Sequence, residues 1–218
     1  MSLRVAIFDC DGTLIDGQAS ICEAMEAAFA AHDLPAPPRN EIRRAVGLSL
    51  PQAIGRLLPE ADRDTRLELT EAYKDAFRGA REEGRIVQPL VPGIAGLLDA
   101  LDAAGWLMAV ATGMSDRGLA HCLAENGLTD RFVSLQTADR HPSKPDPSMI
   151  AQILSETGAE AQDAVMIGDT SFDMSMAGNA GARGIGVAWG YHAPAELLAS
   201  GAQTVAETPQ ELQEALLA

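Results

Sequence analysis

Lysine and cysteine are scarce in this chain. There are two lysines, Lys74 and Lys144, and three cysteines, Cys10, Cys22 and Cys122. An odd number of cysteines without Cys-x-x-Cys spacing argues against a disulfide framework and against a zinc site. No apolar run exceeds about six residues, far short of the roughly 20 that span a bilayer. Val5 to Phe8 runs straight into Asp9, with none of the charged, apolar and small-residue order of a signal peptide. These absences predict a soluble cytoplasmic protein with reduced thiols. Basic residues number 16 against 31 acids, a formal net charge of −15. Non-specific binding to nucleic acid or to anionic membranes is therefore disfavoured by long-range repulsion. An anionic ligand would need local positive charge, from a metal or from a placed Lys or Arg. There is no internal repeat, no low-complexity segment and no Gly-Lys-Ser/Thr phosphate loop, which disfavours nucleotide hydrolysis of that type.

What is present suits one substantial core. The chain has 218 residues and 47% hydrophobic content, enough for a large domain or a domain carrying a smaller insert. Apolar runs of strand length occur at Leu3 to Phe8, Leu107 to Ala111, Arg131 to Leu135, Ala164 to Ile167 and Gly184 to Ala188. Helical patterns at Ile94 to Ala104, Arg117 to Glu125, Pro147 to Glu156 and Phe172 to Ala180 fall between the later runs. This alternation predicts right-handed crossovers and a doubly wound parallel sheet covered on both faces. Asp146-Pro147 looks like an N-cap with proline at the first helical position, and Gly105 and Gly127 stand where helices end.

Phe8 and Leu107 are too far apart for one crossover helix, so something is inserted. Ile21, Met25 and Phe29 repeat every four residues, as do Leu69, Tyr73 and Phe77, which predicts two amphipathic helices in the gap. Residues 1–15 and 87–218 are assigned to an α/β core and 16–86 to a helical module, with Val87 to Pro92 as the hinge. The competing arrangement is a single longer α/β domain.

Four fragments carry the chemistry. Asp9 and Asp11 stand at the carboxyl end of the first strand, the edge where open α/β sheets bind ligands. An Asp there can attack phosphorus and form an aspartyl phosphate. A second acid two residues on can protonate the departing oxygen and then take a proton from water. Gly12 lets the backbone turn and offers amides to a phosphate, and Thr13 can hold that turn. Cys10 between the acids has no histidine near it in sequence, and strand alternation aims it away, so it reads as a buried filler. His32, His121, His141 and His192 lack ligand spacing and read as surface or capping residues. Thr112-Gly113 ends a strand, with Ser115 as cap for the next helix, an arrangement that can hold an anion. Lys144-Pro145 places a cation able to hold a phosphate oxygen or to neutralise crowded carboxylates. Gly168-Asp169, with Asp173 four residues on, lets two acids converge, and magnesium prefers such hard oxygen ligands. Asp9 and Asp169 side by side without a metal would force one of them to take up a proton.

With these motifs in this order, the chain resembles the haloacid dehalogenase superfamily over essentially its whole length, in the branch of small phosphatases with a helical cap such as phosphoglycolate phosphatases. The resemblance implies a magnesium-dependent (Mg2+) phosphatase acting on a small phosphorylated metabolite, with monomer and homodimer both left open. It implies Asp9 as nucleophile, Asp11 as general acid and base, and Thr112, Gly113, Lys144 and Gly12 around the phosphate. Asp9, Asp169 and the backbone carbonyl of Asp11 would hold the metal, with Asp173 as direct or indirect support. The dehalogenases that named the superfamily lack the second acid, whereas Asp11 is present here. Many relatives also carry Ser or Thr where this chain has Gly17, which leaves the cap of the first inserted helix unassigned. The segment from Arg43 through Arg44 and Gly47 to Ser49 is where selectivity contacts could arise, or else a solvated helix face balancing Glu41. A phosphomutase of the same superfamily is the nearest alternative. A signalling receiver domain is a remote one.

Overall fold

The computed structural model describes residues 3–218. Six strands form one sheet: β1 (Val5–Phe8), β2 (Leu107–Thr112), β3 (Ser134–Thr137), β4 (Ala164–Gly168), β5 (Arg183–Val187) and β6 (Thr204–Ala206). The order is β3-β2-β1-β4-β5-β6, and every pairing is parallel. The chain moves outward from β1 through β2 to β3, then returns to lay β4, β5 and β6 on the other side. That reversal makes the carboxyl end of β1 the switch point of the sheet, where such folds open a crevice.

Strand alternation sorts the core into two layers. On one face Ala6, Phe8, Val110 and Ile167 pack under α5 (Ile94–Ala103), α6 (Asp116–Glu125) and α10 (Pro209–Leu217). On the other, Val5, Ile7, Ala109 and Met166 meet α7 (Ser148–Thr157) and α8 (Ser171–Asn179). A short α9 (Pro194–Ala199) buries Leu197 beside Met174. Both faces of β1 are covered, which is why Val-Ala-Ile-Phe reads as a continuous apolar run rather than an alternating one.

Between β1 and α5 lie α1 (Gln18–Ala30), α2 (Arg39–Ala45), α3 (Leu50–Leu57) and α4 (Arg63–Glu82). They enclose a separate cluster of Ile21, Met25, Phe29, Ile42, Ile54 and Leu69. The two strands of chain that enter and leave this insert are tied together: Asp16 N donates to Pro89 O at 2.9 Å and Val91 N to Leu14 O at 2.9 Å.

Several sequence expectations shift. The third strand is Ser134–Thr137 rather than Arg131 to Leu135, because Phe132 is used earlier, packing edge-on against Phe8 with ring centroids 6.3 Å apart. Helix α7 starts one residue late: Pro147 holds the N-cap position and Asp146 Oδ1 accepts from Ser148 N at 2.9 Å. At Gly17, the N-cap of α1, no side chain caps the helix from that position; Asp16 Oδ1 accepts from Gln18 N at 3.2 Å instead. Helices α2, α3, α9 and α10 and strand β6 were not anticipated.

Candidate active site

Register decides which residues meet. Phe8 pairs with Val110 on one side and Ile167 on the other, so Asp9, Thr112 and Asp169 emerge at the same sheet edge. Asp9, Asp169, Asp173, Lys144 and Thr112 are all buried. Lys144 Nζ lies 2.9 Å from Asp9 Oδ1 and 2.6 Å from Asp173 Oδ1. Asp9 Oδ1 also accepts from Cys10 N at 2.7 Å, while Asp9 Oδ2 is buried with no partner.

Asp169 is gripped from two loops. Thr13 Oγ1 donates to its Oδ1 at 2.9 Å and Tyr191 N to its Oδ2 at 2.8 Å. The backbone must come very close to permit this. A Cβ at Gly12, whose φ is +83°, would stand 2.3 Å from Asp169 Oδ2, and one at Gly190 would stand 2.2 Å from the same carboxylate. Asp173 is satisfied on both oxygens, because Thr170 N and Thr170 Oγ1 donate to its Oδ2 at 3.0 and 2.6 Å. With Thr170 as N-cap this is also the capping box that starts α8.

Carboxylate oxygens of Asp9, Asp169 and Asp173 lie within 4.8 Å of one another. Three buried acids face one buried cation, and one acid keeps an unused oxygen. Such a hard-oxygen donor set fits a divalent ion. The crowding also changes proton affinity. Burial and the neighbouring Asp173 charge push the Asp9 carboxyl up to about 6 against the pull of Lys144. Burial and the charge of Asp9 push Asp11 up to about 7, and Asp169 is raised by burial, Asp9 and Asp173. Lys144 resists its own desolvation because Asp173 and Asp9 hold its proton above the usual lysine range. A carboxyl near neutrality, as Asp11 is, can both give and accept a proton.

The insert reaches this edge through the loop between α2 and α3. Ser49 N donates to Ser143 Oγ at 2.8 Å. A Cβ at Gly113 would stand 2.4 Å from Leu48 O, and Gly47, with φ +94°, lies against Thr170. Between insert and edge is a cavity of about 500 Å3, which Asp11, Gly47 and Gly113 help to line.

Arg43 and Arg44 do not line that cavity. Arg44 instead forms a two-pronged pair with Glu196 of α9, and Arg44 O lies 3.3 Å from His192 Nε2. His192 is buried rather than on the surface, and its Nδ1 accepts from Ser171 N at 3.1 Å, so it does act as a cap. Cys10 packs away from both acids, with its sulfur 3.8 Å from that of Cys122. Thr112 Oγ1 accepts from Met114 N at 3.3 Å, ordering the turn after β2.

Sequence reading missed Thr170, Tyr191 and Gln88. Gly190 beside Tyr191 and Gly168 two residues before Thr170 were the available signal, since a Cβ at Gly190 would meet Asp169 and one at Gly168 would meet Asp173. Gln88, whose side chain draws the Asp11 proton affinity back down, had none.

The haloacid dehalogenase-like hydrolase family model matches residues 6–187. A protein of Dickeya dadantii described as a probable phosphatase, IndB, is 34% identical over 212 residues, covering 95% of this chain and 91% of its own length. The phosphoglycolate phosphatase of Vibrio parahaemolyticus is 28% identical over 220 residues, covering 97% and 95%. The crystal structure of a hydrolase from Pseudomonas syringae superposes with a TM-score of 0.86 at 27% identity, covering 98% of this chain and 97% of that one.

Proposed function

The chain belongs to the haloacid dehalogenase-like hydrolase family and is a phosphatase, and from that premise we propose that it hydrolyses a phosphomonoester with magnesium through a phosphorylated Asp9. One observation carries this reading: Asp9 Oδ2 is buried and unpartnered at the switch point, inside a cluster of two further acids and one lysine.

In the first step a carboxylate oxygen of Asp9 forms a bond to phosphorus as the bond from phosphorus to the ester oxygen breaks. Asp11 gives its proton to that leaving oxygen, so an alcohol departs rather than an alkoxide. In the second step Asp11, now ionised, takes a proton from water as the water oxygen attacks phosphorus. Inorganic phosphate leaves and the Asp9 carboxylate is restored. Lys144 sits where it can hold a phosphoryl oxygen while keeping Asp9 ionised, and Gly113 brings backbone close beside it. The Gly12 N–H is not a free donor, because it donates to Ile15 O at 2.8 Å, so Gly12 serves the site through the tight turn. Magnesium, when held by Asp9 and Asp169 with Asp173 beside them, supplies charge neutralisation for the transferred phosphoryl group. Residues 16–86 act as a cap that excludes water over the site.

Asp9→Asn is the direct test. Release of phosphate from p-nitrophenyl phosphate should vanish, together with the acid-stable, hydroxylamine-labile label on the protein. Undiminished turnover in that variant removes the covalent mechanism. Asp11→Asn should slow both formation and breakdown of the phosphoenzyme, and normal breakdown in rapid-quench experiments takes away its assigned role.

A further inference from the structure

The cavity over the sheet edge is far larger than a two-carbon acid requires. At about 500 Å3 it falls within the range of about 300–1,000 Å3 that accommodates drug-sized ligands. Asp11 and Gly113 lie at its reacting end, while much of the opposing wall comes from α1 and α4. Tyr73 and Phe77 stack there, with ring centroids 5.9 Å apart and planes inclined by 27°. Met25 and Met114 add polarisable surface that adapts to flat partners. A short polar acid would leave these walls in contact with water, whereas a planar apolar group would cover them.

The same wall holds an unsatisfied cation. Arg81 Nε and Nη2 are shielded from solvent with no hydrogen-bond partner, and the guanidinium carbon stands 5.1 Å from the Phe77 ring centroid. Nε and Nη2 form the edge with which a guanidinium grips a carboxylate or phosphate through two parallel hydrogen bonds. Neighbours on α4 are differently placed: Lys74 pairs with Glu71 at 2.7 Å and Arg78 with Asp75 at 3.0 Å. Residues 16–86 hold ten of the sixteen bases against thirteen of the thirty-one acids, so the insert is the less acidic part of the chain yet still net negative, and the positive charge at this wall is local to Arg81.

We propose that the substrate's non-phosphate part is a flat aromatic or heteroaromatic group bearing a second oxyanion, carboxylate or phosphate, which Arg81 receives at the far wall of the cavity. This rests on the phosphatase reading, with the ester phosphate at Asp9 and the ring along Tyr73 and Phe77.

The test compares kcat/KM, with magnesium, for 2-phosphoglycolate, phenyl phosphate, naphthyl phosphate, a carboxynaphthyl phosphate and a naphthyl bisphosphate. The order expected is carboxynaphthyl phosphate or the bisphosphate first, then naphthyl, phenyl and phosphoglycolate, with about tenfold or more between the first and the unsubstituted naphthyl ester. Whichever of the two leading esters is faster identifies the oxyanion. Arg81→Gln should collapse the ratio of charged to uncharged naphthyl ester toward one, and Arg81→Lys should keep part of it. Phe77→Leu, which retains apolar volume, should reduce the preference for naphthyl over phenyl. Phosphoglycolate equal to or better than the naphthyl esters overturns the inference while the phosphatase reading stands. An unchanged ratio in Arg81→Gln overturns the role of Arg81. No release from any ester sinks the phosphatase reading itself.

Discussion

Lys144 carries an unusual share of the site at the scale of one residue. Its ammonium is the single cation between Asp9 and Asp173 among the described residues, and all three side chains are out of water. Removing one member of a buried ionic cluster leaves charge uncompensated, at a cost of about 3–5 kcal/mol. Lys144→Met should therefore lower Tm and abolish most activity at neutral pH. The sign of the pH dependence follows from the raised carboxyls. A carboxyl that holds its proton more tightly in the folded state stabilises the fold below its unfolded value of about 4. That contribution is lost as pH rises through about 6 for Asp9 and about 7 for Asp11. Melting curves in chelator should accordingly show Tm falling between about pH 4 and 7, and falling further above that in Lys144→Met, where the pull of Lys144 on Asp9 is gone. Magnesium should restore more stability at the alkaline end, where protons no longer compete for the acids. A flat Tm profile in chelator would contradict the crowding described here.

At the scale of elements, the loop between α2 and α3 is the part of the insert that touches the reacting edge. Its backbone meets Gly113 so closely that no side chain fits: a Cβ there would stand 2.4 Å from Leu48 O and 2.8 Å from Gly47 O. Gly113→Ala should push that loop outward without disturbing the buried sheet, lowering kcat/KM by about tenfold or more while Tm moves little. Faster proteolytic cleavage in the linker around residues 83–93 would accompany it, and unchanged kinetics would count against close apposition of loop and edge. How much of these elements could be read in advance depended on length and period. Ile21, Met25 and Phe29 marked α1, and Leu69, Tyr73 and Phe77 marked α4, because several turns of repeat stand above chance. Helices of seven and eight residues, α2 and α3, and a three-residue strand, β6, are too short to leave such a period. The acids and Lys144 were legible because their chemistry is rare in that order. Arg81 was not, since a cation on an amphipathic helix looks the same in sequence whether it faces solvent or a cavity. Arg44 shows the converse: it is bound to Glu196 through Nη1 and Nη2 and lies outside the cavity lining.

The apolar cluster of the insert is separate from the layers that pack on the two faces of the sheet, and two short tethers join insert to core. Insert side chains such as Met25, Phe29 and Ile54 pack among themselves, and sheet residues such as Phe8 and Ile167 pack among theirs. No helix of the described residues is long and apolar enough to cross a membrane. Where the tethers meet, Asp16 N donates to Pro89 O at 2.9 Å and Ile15 bridges Leu90, so the chain ends of the core would already be in register without the insert. Replacing residues 18–87 by a short Gly/Ser link therefore adds little closure entropy, because that cost grows only slowly with loop length. We expect the shortened chain to fold cooperatively, with a single melting transition by circular dichroism. Its sheet edge would keep Asp9, Asp11, Lys144 and Asp169, and so should still release phosphate slowly from acetyl phosphate. It would lose the wall of Tyr73, Phe77 and Arg81, and any preference among aryl phosphates should disappear with it. A shortened chain that is unfolded would mean that the insert cluster is part of one cooperative core. A folded one that retains the aryl preference would place selectivity on the sheet side of the cavity, at residues such as Met114 and Arg117.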